Sequence, residues 1–329
     1  MQPTISVCVI TYNQQDYIEK CLDSILAQEL DEQFELVVRD DGSKDRTPEI
    51  LREYAIRYPQ IVRVLPCDRN LGANGNLLAT FAASKGEFVA VCEGDDFWTN
   101  SKKLQKQLNS ARTLPHIDFF VHPATTGTDE ITTTVSWPCQ VSADFGLKNV
   151  LLGFGQFAPT ASYFFRRKAV ERLPRWFTKA PVGDFFLELY LTGAKGGYCL
   201  NEYLSKYRTA SVGSWDHTIR NDKTGEKGVR AYRKIKVYLK KARADFPGHA
   251  SEFEKRLEYV NFAIAHQYMK VGKYDRFRSY MNKAGEGIKS IGSTAGLLYR
   301  LRDYKGVVSG VYYAKRVTLN AKNLLQSWR

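Results

Sequence analysis

Glu93, Asp95 and Asp96 crowd three carboxyl groups into four positions, in EGDDFW at the end of the apolar run 87–93. Like charges at that spacing repel, and a partly buried place tolerates them only with something cationic between them. Two other polar clusters also follow apolar runs: Thr11-Tyr12-Asn13 after 5–11, and Asp40-Asp41-Gly42-Ser43 after 34–40. A later stretch, DFFLELYLTG (184–193), opens on Asp184 with Glu188 one helical turn further. Asp is a good cap for such a helix. Other chemistries lack their residues. The five histidines (116, 122, 217, 249, 266) have no metal-ligand spacing, and no GxSxG elbow or Cys/His arrangement stands out. No GxGxxG follows the first run and no GxxxxGK[ST] occurs, so neither a dinucleotide enzyme nor a P-loop NTPase is supported.

These clusters need elements to position them. Runs at 5–11, 34–40, 62–67, 87–93 and 117–123 read as strands, and the stretches 15–28, 47–59, 72–86 and 101–112 between them as helices. Thr47 is placed to cap the second helix, with Pro48 at its first position. Near-continuous apolar strands alternating with helices predict an α/β fold, a mostly parallel sheet with helices on both faces. Such a sheet binds ligands where its strands end, which is where the three polar clusters fall. Residues 124–145 read as an irregular or hairpin insertion, 161–165 as strand and 184–193 as helix. Beyond about 225 the pattern is wholly helical. There, 258–284 has the spacing of one tetratricopeptide-type unit (Ala265, Tyr268, Gly272, Tyr274, Ala284), expected as a hairpin packed on the core.

Charge divides the chain at the same place. Residues 1–224 carry 25 Lys+Arg against 27 Asp+Glu, whereas 225–329 carry 23 against 8. The basic stretches 232–243 and 310–329 interleave Lys and Arg with aromatic and aliphatic residues, as a helix lying on an anionic membrane surface does. An ordinary basic helix face has the same pattern. Nucleic acid is disfavoured as a partner, since no RNP or zinc motif accompanies the charge. No apolar run reaches 18 residues, the N-terminus lacks the features of a secretion signal, and six scattered cysteines form no CxxC pair. A reduced, cytoplasmic protein, peripheral on the inner face of the plasma membrane, is the expectation.

VITYN, VVRDDGSKDRT, NLGANGN and EGDDFW, in this order and spacing, resemble the nucleotide-binding half of glycosyltransferase family 2. The resemblance is strong over about 5–115 and weaker to about 212. It implies a GT-A, Rossmann-like fold and inverting, usually metal-dependent transfer of a sugar from a nucleotide diphosphate, most often a UDP-sugar. It divides the chain into a GT-A domain at 1–224 (nucleotide-binding half 1–115, acceptor half 116–224) and a basic helical region at 225–329. EGDD resembles the DxD-type signature that holds Mn²⁺ or Mg²⁺. On that resemblance Asp96 is the main metal ligand and Asp95 belongs to the ribose and metal environment. Glu93 stands where the first Asp is usual.

Thr11 and Tyr12 would pack on base and ribose, and Asp41 would accept from the base, with Asp40 supporting the turn. Asn76 would approach the nucleotide or serve packing. Asp184 takes the place of the family's catalytic base, with Gly183 where Glu is more usual and Glu188 in reserve. Arg208 lies in the segment matching the closing loop and would contact diphosphate or form an ion pair. The acceptor implied is a hydroxyl of a glycan or lipid-linked oligosaccharide in bacterial surface polysaccharide. A nucleotidyltransferase lacks its Gly-rich N-terminal loop here. A non-catalytic nucleotide- or glycan-binding scaffold at the membrane is the alternative from another class.

Overall fold

The computed structural model describes residues 2–134, 137–139, 142–209, 211, 222–290 and 292–310. The chain separates into two compact units, Met1–Thr218 and Ile219–Arg329.

The first unit begins with β1 (Ile5–Thr11), α1 (Ile18–Leu26), β2 (Phe34–Asp40), α2 (Thr47–Arg57), β3 (Val62–Val64), α3 (Gly72–Ala83) and β4 (Phe88–Glu93). All seven residues of β1 are buried, so both of its faces are covered. β1 is hydrogen-bonded in parallel to β2 on one side and β4 on the other, and β3 adds outside β2. Ile18, Cys21, Leu22 and Ile25 of α1 recur at helical spacing, and this buried stripe packs into a core with Val7, Val9, Leu36 and Cys92.

β5 (Phe97–Trp98), α4 (Lys103–Thr113), β6 (Phe119–Val121), β7 (Ala124–Gly127), β8 (Thr132–Thr134), β9 (Ala143–Phe145), α5 (Leu147–Leu152), β10 (Phe164–Arg166), α6 (Gly183–Thr192), β11 (Gly197–Cys199) and β12 (Ser205–Arg208) complete the unit. The large sheet runs β3-β2-β1-β4-β10-β6-β11-β9, and a smaller one runs β5-β12-β7-β8. Two details refine the sequence reading. β10 enters antiparallel between β4 and β6, following a 3₁₀ turn at Thr160–Ser162. Within 124–145 the hairpin alternative holds for β7 and β8, which join the small sheet, while β9 pairs at the edge of the large one.

The second unit holds α7 (Glu226–Asp245), α8 (Ala250–Lys270), α9 (Tyr274–Ala284) and α10 (Ser293–Arg300). α8 and α9 form a hairpin that reverses at Gly272, where φ is +71°. Ala265, Phe277, Met281, Ala284, Ile288 and Leu298 make its core. Residues 311–329 of the basic tail, and His217, lie outside the described residues.

Candidate active site

Register brings the first two polar clusters side by side. Thr11 pairs with Asp40 across β1 and β2, and Ile10 with Glu93 across β1 and β4. The loops beyond are stitched together: Asn13 N–H donates to Ser43 Oγ at 2.7 Å, and Lys44 N–H to Asn13 Oδ1 at 2.8 Å. Asn13 takes φ +53°, which Asn tolerates better than most residues. Asp40 closes the DDGS turn by accepting from the Gly42 and Ser43 backbone N–H groups. Thr11 is buried, with its Oγ1 lacking a hydrogen-bond partner, and Tyr12 beside it is 49% exposed.

Asp41 starts α3. Its carboxylate accepts from Leu71 N and Gly72 N, each at 2.8 Å, and from Arg39 Nη1 at 2.9 Å. Asn76 lies against the same arginine. Its Oδ1 accepts from Arg39 Nη1 at 2.8 Å and its Nδ2 donates to the Arg39 carbonyl at 3.0 Å. Both groups are almost wholly buried. Asn76 thus ties the start of α3 to Arg39 of β2.

At EGDD, Gly94 N–H donates to the Ile10 carbonyl at 3.0 Å. A Cβ at Gly94 would stand 2.5 Å from Gln14 Oε1 and 3.0 Å from Thr11 Cβ, so the glycine admits the β1 loop. Asp96 is buried. Its Oδ1 accepts from the Arg208 backbone N–H at 2.8 Å, and its Oδ2 has no partner. Burial, then the charges of Asp95 and Glu93, hold its carboxyl well above the usual range. Burial, then Asp95 and Asp184, push Glu93 up to about 8. Asp95 accepts from Ser211 Oγ at 2.7 Å.

Arg208, at the end of β12, lies against the backbone of this cluster. Its Nη1 donates to the Asp95 carbonyl at 2.7 Å, while Nε and Nη2 grip both oxygens of Asp129 at 2.8 and 3.2 Å. Asp129, in the β7–β8 turn, also pairs with Lys20 at 3.2 Å. Phe97 lies under both cations, 4.8 Å from the Arg208 guanidinium and 4.3 Å from Lys20 Nζ. The aromatic after EGDD thus serves as a cation–π platform.

Asp184 sits in the first turn of α6, close enough to raise both Glu93 and Glu188 electrostatically. Strand β4 and helix α6, ninety residues apart in sequence, thereby bring their carboxylates into one field. Glu188 faces inward instead. It accepts from Phe157 N at 3.1 Å, Ala158 N at 2.9 Å and Tyr163 Oη at 2.8 Å. Burial, then Asp184, push its carboxyl up to about 8. With those three donors on a fully buried side chain, Glu188 braces 157–158 and Tyr163 against α6.

A model of the family described as glycosyl transferase family 2 matches residues 6–173, just over half of the chain. The chain belongs to glycosyl transferase family 2. Rv1520 of Mycobacterium tuberculosis is 33% identical over 227 residues, 67% of this chain and 62% of Rv1520. The chain thus spans under two thirds of that relative's length. TuaG of Bacillus subtilis, named for teichuronic acid biosynthesis, is 26% identical over 262 residues, 78% of this chain and 98% of its own. Among solved structures, S. aureus TarS 1–349 in complex with UDP-GlcNAc superposes with a TM-score of 0.63 at 18% identity, covering 96% of this chain and 92% of TarS. The family 2 chain has the GT-A fold.

Membership of family 2 raises the question of a divalent metal. Among the described residues no three Asp, Glu, His or Cys side chains already form a complete cage. Asp96 nevertheless carries a buried, unpartnered oxygen, and every side-chain donor at EGDD is a carboxylate. That set fits a hard cation such as Mg²⁺ or Mn²⁺, which takes one or two protein carboxylates and completes its shell with substrate phosphate and water.

Of the two roles expected for Arg208, the ion pair is present: the residue is buried, and three of its guanidinium N–H groups go to Asp129 and the Asp95 carbonyl. Arg39, Lys20 and Asp129 carry little signal in the family 2 sequence. Arg39 precedes the DDG signal as one basic residue in an apolar strand, a faint hint of a buried ion pair. Asp129 lies in a Thr-rich stretch with no readable pattern.

Proposed function

We propose that the chain is an inverting glycosyltransferase that moves a sugar from a nucleotide diphosphate, best a UDP-sugar, to a hydroxyl of a glycan or lipid-linked glycan in bacterial surface polysaccharide. The observation that carries this reading is the gathering of the EGDD carboxylates and Asp184 in one electrostatic field at the carboxyl edge of the sheet. Inversion by single displacement needs a base on the acceptor side and charge stabilisation on the leaving side. Asp184 is the base, taking the proton of the attacking hydroxyl. Asp96 and Asp95, with Glu93, would hold Mn²⁺ or Mg²⁺, which when bound offsets the charge of the departing diphosphate. Thr11 and Tyr12 flank the base and ribose, and Asp41 holds the start of α3 beside them. Donor and acceptor classes draw on TarS in complex with UDP-GlcNAc and on TuaG, named for teichuronic acid.

We also propose an anionic membrane surface as a partner of α7, at the inner face of the plasma membrane. Arg230, Lys234, Val237 and Lys241 are exposed and recur at i, i+4, i+7 and i+11, one basic stripe along the helix.

The test is calorimetric titration of UDP, GDP and dTDP with Mn²⁺ present and again with EDTA, on the wild type and Asp96→Asn. Metal-dependent binding of UDP, lost in the variant, is the expected result. A folded protein that binds none of the three overturns the enzyme reading in favour of a scaffold.

A further inference from the structure

Asp184 follows Gly183 in the first turn of α6, and Val182 at the cap gives the helix no side-chain hydrogen bond. Asn74, in the first turn of α3, supplies three points of contact to that segment. Its Nδ2 donates to the Phe177 and Ala180 carbonyls, both at 3.0 Å, using both amide hydrogens. Its Oδ1 lies where a side chain at 183 would go: a Cβ built on Gly183 would stand 2.0 Å away. Both partners of the amide precede Pro181, whose fixed φ leaves little slack before α6 begins. Phe177 is wholly buried, so the segment is anchored at its far end as well.

We propose that Asn74 is a positioning residue for Asp184, and that Gly183 is required because no larger residue fits beside Asn74. The inference rests on the reading of Asp184 as the base. It explains why glycine precedes Asp184: a Glu at 183 would have to pass through the Asn74 amide. It also connects the two halves of the site. Asp41 accepts from Leu71 N and Gly72 N, so the same α3 turn that closes on the DDG loop carries Asn74 two residues on. The nucleotide-side turn and the base thereby share one rigid element, and displacement of α3 displaces both.

The experiment follows nucleoside diphosphate released from UDP-N-acetylglucosamine and GDP-mannose, with water or acceptor as nucleophile, in the full-length chain with Mn²⁺. Variants are Asp184→Asn, Asn74→Ala, Gly183→Ala and the Asn74→Ala/Gly183→Ala double. Nucleotide affinity and thermal melting are read beside turnover. A misplacement of the base by about 1 Å costs on the order of 100-fold in rate. Asn74→Ala and Gly183→Ala are therefore expected to lose about 10- to 100-fold in kcat, with KM for the donor nearly unchanged. The double variant should be no slower than Asn74→Ala alone, because removing the amide makes room for the new methyl. Wild-type kcat in both single variants, with Asp184→Asn inactive, overturns the positioning role and leaves the base standing. Parallel losses of kcat, nucleotide affinity and melting temperature in both single variants, without relief in the double, also overturn it. Undiminished turnover by Asp184→Asn overturns the base reading and the inference with it.

Discussion

Glu188 illustrates what a buried carboxylate does when every neighbour donates to it. Phe157 N, Ala158 N and Tyr163 Oη converge on its two oxygens. Each buried donor left without an acceptor costs about 1–3 kcal/mol. Glu188→Ala should therefore lower the unfolding free energy by about 2–4 kcal/mol, read as a fall in the urea midpoint. An unchanged midpoint would mean that 157–158 finds other partners. Asp184, one turn earlier on the same helix, accepts from the adjacent Phe185 N–H at 2.7 Å.

The β7–β8 hairpin acts as a unit through Asp129. That carboxylate neutralises Arg208 and Lys20 together, and hydrogen bonds from Arg208 and then Lys20 hold it down to about 2. A carboxyl whose folded value lies below its unfolded value of about 3.8 adds stability above that pH. The contribution is then lost as pH falls through about 2. Asp129 is 43% exposed, so the Coulombic part is small. The buried Arg208 is the larger concern, since without Asp129 its guanidinium loses two hydrogen bonds. Asp129→Asn should melt below the wild type at pH 7, with the gap closing between about pH 4 and pH 2. A gap independent of pH would show that the ion pair is not its source.

At the scale of the whole molecule, the basic surplus and the acidic cluster at the sheet edge belong to different compact units. Full-length protein should sediment with phosphatidylglycerol vesicles and not with phosphatidylcholine vesicles, and should release as ionic strength rises. Reversing Lys234 and Lys241 to Glu should weaken that binding several-fold while leaving UDP affinity unchanged. Equal binding to both lipids, or none, would remove the membrane from the account of α7.

By itself the sequence determined the strands of the nucleotide-binding half. β1 and β2 run over the residues their apolar patterns mark, because strands buried on both faces advertise themselves as unbroken apolar runs. It also determined that the three polar clusters share one edge, since the ends of parallel strands fall on one side of a sheet. Only the tertiary structure decided what each carboxylate faces. Asp40 and Asp41 are adjacent in sequence, yet one closes its own turn and the other caps α3 thirty residues on. β10 lies antiparallel where local pattern cannot state direction, and Arg208 turns to Asp129 across a hairpin that carries no periodic signal. Asn74 reads as one more polar residue in a Gly- and Asn-rich helix start. Its contact with Gly183 spans more than a hundred residues, and such contacts depend on packed distance, which spacing along a chain does not encode.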